Sequence, residues 1–178
     1  MKTHQLFRNK SAHGFTLIEI MVVIAIILVL ASMTIGGLSY YKRKAAESRT
    51  EVFIASVSRA LDEYRADEGN YPTDGADGSN TSSAVLYDEL YGDRDGDGVP
   101  DDDATVYLDA LNPSSQGSAL NVEAASGGTY YVVDGWGGRL HYLSPGEQNP
   151  STEFDLWSYG NDGSSGTEKE KKDDIDNW

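Results

Sequence analysis

The sequence has no cysteine, which excludes disulfide staples, thiolate zinc sites and cysteine nucleophiles. Histidine is nearly as scarce. His4, His13 and His141 are the only three, two of them within the first 14 residues, so a histidine-based active site has almost no raw material. Positive charge is also short: 14 Lys+Arg face 29 Asp+Glu, for a formal net charge of −15. A nucleic-acid binder needs a basic face to neutralise phosphates, and this composition argues against one. Acid is missing from the first 14 residues, which carry Lys2, Arg8 and Lys10, whereas residues 67–178 hold 24 acids against 5 bases. The two ends of the chain belong to different environments. With 178 residues and 19.3 kDa there is room for one ordinary domain plus an appendage.

Charge is almost absent from residues 15–38, where Glu19 stands alone beside the apolar core of residues 21–30. A helix of that length spans roughly 36 Å, enough to cross a bilayer with some tilt. Basic residues before the span predict that residues 1–14 stay cytoplasmic and that the acidic remainder is exported. A secretory signal peptide would have an apolar core of about 7–15 residues closed by a small-x-small pattern. Here the apolar stretch over residues 15–38 is longer and no Ala-x-Ala closes it. A plain signal anchor fits the run but leaves Glu19 unexplained, since a carboxylate inside a bilayer costs about 2.5–3.5 kcal/mol.

The segment Ala12-His13-Gly14-Phe15-Thr16-Leu17-Ile18-Glu19 resembles the processing site of type IV pilins and their relatives. The resemblance implies a basic leader, residues 1–14, cut after Gly14 by a prepilin peptidase. Phe15 then becomes the first mature residue and is methylated, and Glu19 takes the family's acidic position. The new amine at Phe15 and the Glu19 carboxylate are opposite charges in low dielectric. They attract strongly, although desolvation cancels much of the gain. If Glu19 of one subunit meets the amine of its neighbour, both charges are compensated while the helices pack. Glu19 is then an assembly residue, and no residue is assigned to catalysis.

Ala46, Phe53, Val57, Ala60, Leu61 and Tyr64 recur at steps of 3–4 residues, with charged residues between them. This spacing predicts one long helix from about Phe15 to Asp67, transmembrane over 15–38 and amphipathic in its second half. The 39–72 segment closes on Gly69-Asn70-Tyr71-Pro72, an exit turn that the pilin-like family shares. Gly36-Gly37 falls mid-helix, where pilin-like proteins usually carry a proline. Glycine there costs about 1 kcal/mol and marks a weak point, or it allows close helix packing; both readings stand.

The C-terminal part carries, in order, Asp134-Gly135-Trp136-Gly137, Leu143-Ser144-Pro145-Gly146, the run Phe154-Asp155-Leu156-Trp157-Ser158-Tyr159-Gly160-Asn161-Asp162-Gly163, and Asp173-Asp174-Ile175-Asp176-Asn177-Trp178. This succession is similar to that of the major pseudopilins of the type II secretion system. Gly135 replaces a proline of their pattern and Asp176 a glycine. The resemblance covers residues 12–72 and 129–178, leaving 73–128 as a variable insertion. Short aromatic and β-branched runs at 130–133, 140–143 and 154–159, separated by Gly and Pro turns, read as one small antiparallel sheet. The expected fold is α+β and type IV pilin-like, the long helix packing on that sheet over residues 129–178.

Two acidic loops are candidate calcium sites, because carboxylates without histidine or thiol suit a hard cation. The pseudopilin resemblance implies a calcium ion held by Asp162, Asp173 and Asp174, with the Tyr159 backbone carbonyl as a further ligand. A charged end cannot pack by burial, so a cation is expected to join it to the sheet. Lys169, Lys171 and Lys172 in the intervening stretch complicate that ligand geometry, and a solvated acidic tail is the alternative. The second candidate is residues 93–103, where Asp93, Asp95 and Asp97 alternate before Gly98 and Asp101 follows, as in the first half of an EF-hand loop. Position twelve is Ala104, no bidentate Glu is present, and Pro100 argues against a switching EF-hand, so a static clip or a plain acidic turn is expected. Asp74-Gly75-Ala76-Asp77-Gly78 reads as turn chemistry.

The resemblance implies a structural subunit with a single pass in the inner membrane and its C-terminal domain in the periplasm. Such subunits polymerise head to tail; a heterologous contact of this kind gives an open filament rather than a ring. Implied partners are copies of itself, minor pseudopilins, the inner-membrane assembly platform and the prepilin peptidase. A type IV pilin for adhesion, motility or DNA uptake is the alternative. A membrane-anchored enzyme would need a general base, an open metal position and a formed pocket, and the sequence offers carboxylates on loops and little else.

Overall fold

The computed structural model describes residues 14–178 except 74, 116–120, 150–152, 165 and 168–169, with the side chains of 33–37 and 170 also excluded. The basic leader residues Lys2, Arg8 and Lys10, together with Asp74 and Lys169, lie outside the described residues. The chain divides into two compact units, residues 1–41 and 42–178.

A single helix, α1 (Leu17–Glu68), covers the range expected from periodicity to within two residues. Within the first unit its large apolar side chains from Phe15 to Leu30 are exposed by 46–83%. Among the described residues no helix is long and apolar enough to cross a membrane. The apolar run of the sequence continues through 33–37, whose side chains are not among those described.

In the second unit α1 becomes one-sided. Ala46, Thr50, Phe53, Ile54, Val57, Ala60 and Leu61 are buried, while Glu51, Val52, Asp62 and Glu63 face water, the i, i+3, i+4, i+7 stripe of a helix lying on a core. Gly69 ends the helix in the left-handed region at φ 86°, and its N–H bonds the Arg65 carbonyl at 2.9 Å. The chain then folds back on the helix end: Tyr71 donates to Asp62 at 2.8 Å and packs edge-on against Phe154.

Residues 73–128, which no sequence motif marked as structural, supply part of the core. Helix α2 (Ser83–Tyr91) buries Leu86, Tyr87, Leu90 and Tyr91 to 3% exposure or less and stops at Gly92, φ 80°. The 77–78 turn behaves as expected of turn chemistry, Asp77 accepting from the Ser79 N–H at 3.0 Å.

The expected single sheet is two. Strands β1 (Val122–Ala124) and β2 (Tyr130–Val132) form an antiparallel hairpin, while β3 (His141–Leu143), β4 (Asp155–Ser158) and β5 (Ile175–Asp176) form a separate antiparallel sheet in the order β3-β4-β5. The cause lies in the turn between β2 and β3. The Asp134 carboxylate gathers the N–H groups of Trp136 and Gly138 at 2.9 and 2.8 Å, closing a tight loop that leaves only the isolated bridge Val133↔Arg139. Side-chain alternation sends Tyr142, Leu156 and Ser158 inward. Tyr142 and Leu156 join Phe53, Ile54, Val57, Ala60 and Leu61 of α1 and the apolar side chains of α2 in one core. Each fully buried Leu or Phe there contributes about 1.5–3 kcal/mol.

Gly135, which departs from the pseudopilin pattern, sits where the β2–β3 loop touches α1. Its N–H donates to Thr50 Oγ at 2.9 Å, and Thr50 in turn donates to the Ala46 carbonyl at 2.9 Å. A Cβ at position 135 would lie 2.5 Å from the Ala46 carbonyl oxygen. Proline would both collide there and remove the donor. We expect Gly135→Ala to lower unfolding stability by about 1–3 kcal/mol through overpacking. A urea midpoint equal to the parent's would refute this account.

Candidate functional sites

At the start of α1, Thr16 and Glu19 form a capping box. Glu19 Oε accepts both the Thr16 N–H and the Thr16 hydroxyl at 2.8 Å, and the Glu19 N–H approaches Thr16 Oγ at 3.3 Å. Sequence reasoning assigned Glu19 to assembly and missed this local role, although Thr-x-x-Glu before an apolar run is its signature. Phe15 is 83% exposed. Among the described residues nothing lies within 4 Å of a Cβ built on Gly14, and its φ is not left-handed.

In the acidic loop after α2, Asp93, Asp95 and Asp97 bring carboxylate oxygens within 4.8 Å of one another; it is the one such trio among the described residues. Asp93 is fully buried. One of its oxygens accepts the Gly96 and Asp97 N–H groups at 2.9 and 3.1 Å, and the other accepts the Gly98 N–H and the Tyr87 hydroxyl, both at 2.8 Å. Burial, with Asp93 beside it, holds the Tyr87 phenol well above its ordinary pKa, so it stays a donor. The four lone-pair sites of a carboxylate are thus engaged, and Asp93 organises the loop. Asp95 and Asp97 are exposed on one side and each accept one backbone N–H, from Asp97 and Val99. Asp101 is not in the trio; its carboxylate accepts the Arg94 N–H at 3.4 Å and its own N–H bonds the Gly92 carbonyl. The loop also rests on the β1–β2 hairpin so closely that a Cβ on Gly96 would strike the Gly128 carbonyl.

Asp162, Asp173 and Asp174 form no comparable trio. Asp173 accepts the Asn161 and Asp162 N–H groups at 2.9 and 3.2 Å, and Asp162 accepts the Ser164 N–H at 3.0 Å. Gly160 packs under Asp173, whose carbonyl a Cβ at 160 would meet at 2.1 Å. The Tyr159 ring lies 4.2 Å from that of His141. The charged end is joined to the sheet by backbone pairing. It adds as β5, with Trp157 paired to Asp176 and Ser158 to Ile175. Asn177 then pins it, exchanging bonds with Leu156 through side chain and main chain at 2.9 and 3.1 Å and accepting from Asn149 at 2.7 Å. This pairing needs no apolar side chains, and the sequence reading did not foresee it.

Two further buried carboxylates escaped sequence reasoning. Asp155, 1% exposed, accepts the consecutive N–H groups of Glu147, Gln148 and Asn149 at 2.6–2.8 Å. Asp134, 3% exposed, accepts the Ser158 hydroxyl beside its two backbone donors, and Ser158 accepts the Gly160 N–H at 2.9 Å. A signal existed in the Asp-Gly-Trp-Gly and Pro-Gly-Glu-Gln segments, whose turns leave N–H groups unpaired.

Comparison with known proteins gives the class first. Residues 9–35 match the model of the prokaryotic N-terminal methylation motif, and residues 95–178 match that of type II secretion system protein G. The second match takes in part of the 73–128 segment as well. Type II secretion system core protein G of Klebsiella michiganensis is 32% identical over 173 residues, covering 96% of each chain. That of Escherichia coli K12 is 34% identical over 165 residues, covering 93% of this chain and 90% of the relative. A crystal structure of the major pseudopilin from enterohaemorrhagic Escherichia coli is similar at 24% identity with a TM-score of 0.41, covering 79% and 93% of the two chains; that geometric likeness is too slight for an argument to rest on it. This chain belongs to the family of type II secretion system core protein G.

Asp155→Asn removes the charge that three backbone donors share. It should cost about 1.5–3 kcal/mol in urea unfolding; an unchanged midpoint would mean that the loop holds without it. Asp88, half-buried next to the acidic loop, has its carboxyl raised to about 6 by burial and then by Glu89 and Asp93. Unfolded, it would release its proton near pH 4. Stability from this group is therefore lost as pH rises between about 4 and 6, and stays lost above. We expect Asp88→Asn to raise the melting temperature near pH 7 and to change it little below pH 4. A gain equal at both pH values would contradict the assignment.

Proposed function

We propose that this chain is a major pseudopilin, a structural subunit of the type II secretion system that polymerises through its N-terminal helix. The observation that carries the reading is the joint presence of two features. One is a helix start of the Gly-Phe-Thr-x-x-Glu type with an exposed apolar surface behind it. The other is a C-terminal domain of the protein G family at over 30% identity across nearly the whole chain. Apolar side chains exposed all around the first part of α1 call for a bilayer or for other copies of that helix. In our reading the preprotein crosses the inner membrane once through residues 15–38, with its C-terminal domain in the periplasm. Prepilin peptidase cuts after Gly14, and Phe15 is methylated. Minor pseudopilins and the inner-membrane assembly platform receive the subunit.

Glu19 then has two successive uses. In the free subunit its carboxylate caps the helix through Thr16. In the filament it turns to the Phe15 amine of a neighbour, a charge-assisted contact that a neutral cap cannot replace. Calcium belongs to this proposal too. Asp95 and Asp97 would hold it beside Asp93 in one loop, and Asp162, Asp173 and Asp174 with the Tyr159 carbonyl in the other. The clustered oxygens support the first loop; chemistry without soft ligands supports both.

Deletion of the gene should empty the culture medium of secreted enzymes and leave surface pili intact; the reverse phenotype would assign the chain to a type IV pilus. Gly14→Ala should leave the leader in place, seen as an unshifted band on a gel. Glu19→Gln separates capping from charge pairing, because glutamine still serves a capping box. It should insert and mature but yield few filaments, and filaments at parental yield would remove the pairing step. Saturating calcium should raise the melting temperature of the full chain, and at a hundredfold excess over Kd the gain is about 2.7 kcal/mol. Asp95→Asn/Asp97→Asn and Asp162→Asn/Asp173→Asn, tested apart, report which loop responds. An unchanged melt in all of them would eliminate the metal.

A further inference from the structure

We propose that the outer face of the β3-β4-β5 sheet is a docking site for an arginine or lysine side chain of a partner polypeptide. Alternation along the strands sends Tyr142, Leu156 and Ser158 into the core, so their neighbours lie on the other face of the sheet, where His141 and Asp155 are buried and Trp157 is half-buried. Aromatic rings cluster on that face. His141 stacks on Trp157 at 5.2 Å with an interplanar angle of 18°, and the Trp157 ring lies 6.2 Å from Trp178 and 6.4 Å from Tyr159. Between these rings lies a cleft of about 340 Å³, lined by Trp157, Tyr159 and Trp178 and by the acids Glu147, Asp174 and Asp176.

The pairing of ring faces with carboxylates selects the occupant. Aromatic faces carry negative quadrupole charge and attract cations within about 6 Å of their centroids. Carboxylates at the rim add Coulomb attraction of the same sign. An anion finds nothing favourable here, and a neutral apolar group leaves the acids desolvated without compensation. The volume lies at the small end of ligand sites and suits one long cationic side chain. Asp155, the remaining acid of the lining, is occupied by three backbone N–H groups. Trp178 keeps 51% of its surface exposed, which a bulky occupant would cover. An acidic chain with −15 net charge would also draw a basic segment toward this face before contact.

The three tryptophans, Trp136, Trp157 and Trp178, provide the test. The full chain, labelled with 15N at the indoles and held in uncharged polyoxyethylene micelles at constant saturating calcium, is titrated with the peptide acetyl-Gly-Arg-Gly-amide. The Trp157 and Trp178 cross-peaks should move saturably while Trp136, outside the cleft, stays in place. The matching citrulline peptide, which lacks only the charge, should move none of them. Glu147→Gln/Asp176→Asn, on exposed side chains, should weaken the arginine response about fivefold with all three peaks still dispersed. Stationary peaks, equal movement with citrulline, or unaltered affinity in the double variant would each overturn the proposal. So would a calcium titration that moves the Trp157 and Trp178 peaks and abolishes the later peptide response, since it would give the cleft to the metal.

Discussion

A carboxylate removed from water must find donors or be neutralised, and in this strongly acidic chain that requirement shapes three loops around the core. Asp93, Asp134 and Asp155 are buried to 3% exposure or less, and each is met by backbone N–H groups from a turn of its own. The turns cannot use those donors in strand pairing, so the aspartate takes the place of a ladder partner. Removing one carboxylate therefore leaves several N–H groups unpaired at once. The loops consequently hold their shape from within, which frees the exposed acids for whatever the assembly requires.

The same economy appears at the helix start, where Thr16 and Glu19 satisfy one another's groups before any neighbour arrives. A lone carboxylate at the edge of an apolar run is tolerable in a free subunit when it has this local partner. It remains available for exchange, because the bonds it makes are exposed. The globular part contributes a different kind of constraint: Gly135 lets a loop backbone touch the α1 backbone, and the Thr50 hydroxyl marks the contact. Packing at that distance tolerates no Cβ.

Much of this was readable from residue order. The long helix, its exit at Gly69 and the family carried by Gly14, Phe15 and Glu19 follow from local patterns, and the comparisons agree on the family. The division of the strands into two sheets was not readable, because it depends on Asp134 drawing Trp136 and Gly138 inward. Neither was α2, whose nine residues are too few for a period to declare itself without the core they pack against. The addition of the C-terminal end as a strand was not readable either: β5 is two residues long, and its pairing with β4 uses main-chain groups that every residue type carries.

Sequence alone determined the chain's polarity of charge, its apolar leading helix and its membership of a filament-forming family, since these rest on short-range periodicity and on motifs a few residues long. Tertiary structure decided which aspartates are buried pins and which are exposed, that Asp93, Asp95 and Asp97 converge while the C-terminal acids do not, and that the rings of Trp157, Tyr159 and Trp178 line one cleft. The physical reason is range. A helix period and a capping box are written in neighbouring residues, whereas burial and the meeting of side chains from distant strands exist only once the core has closed.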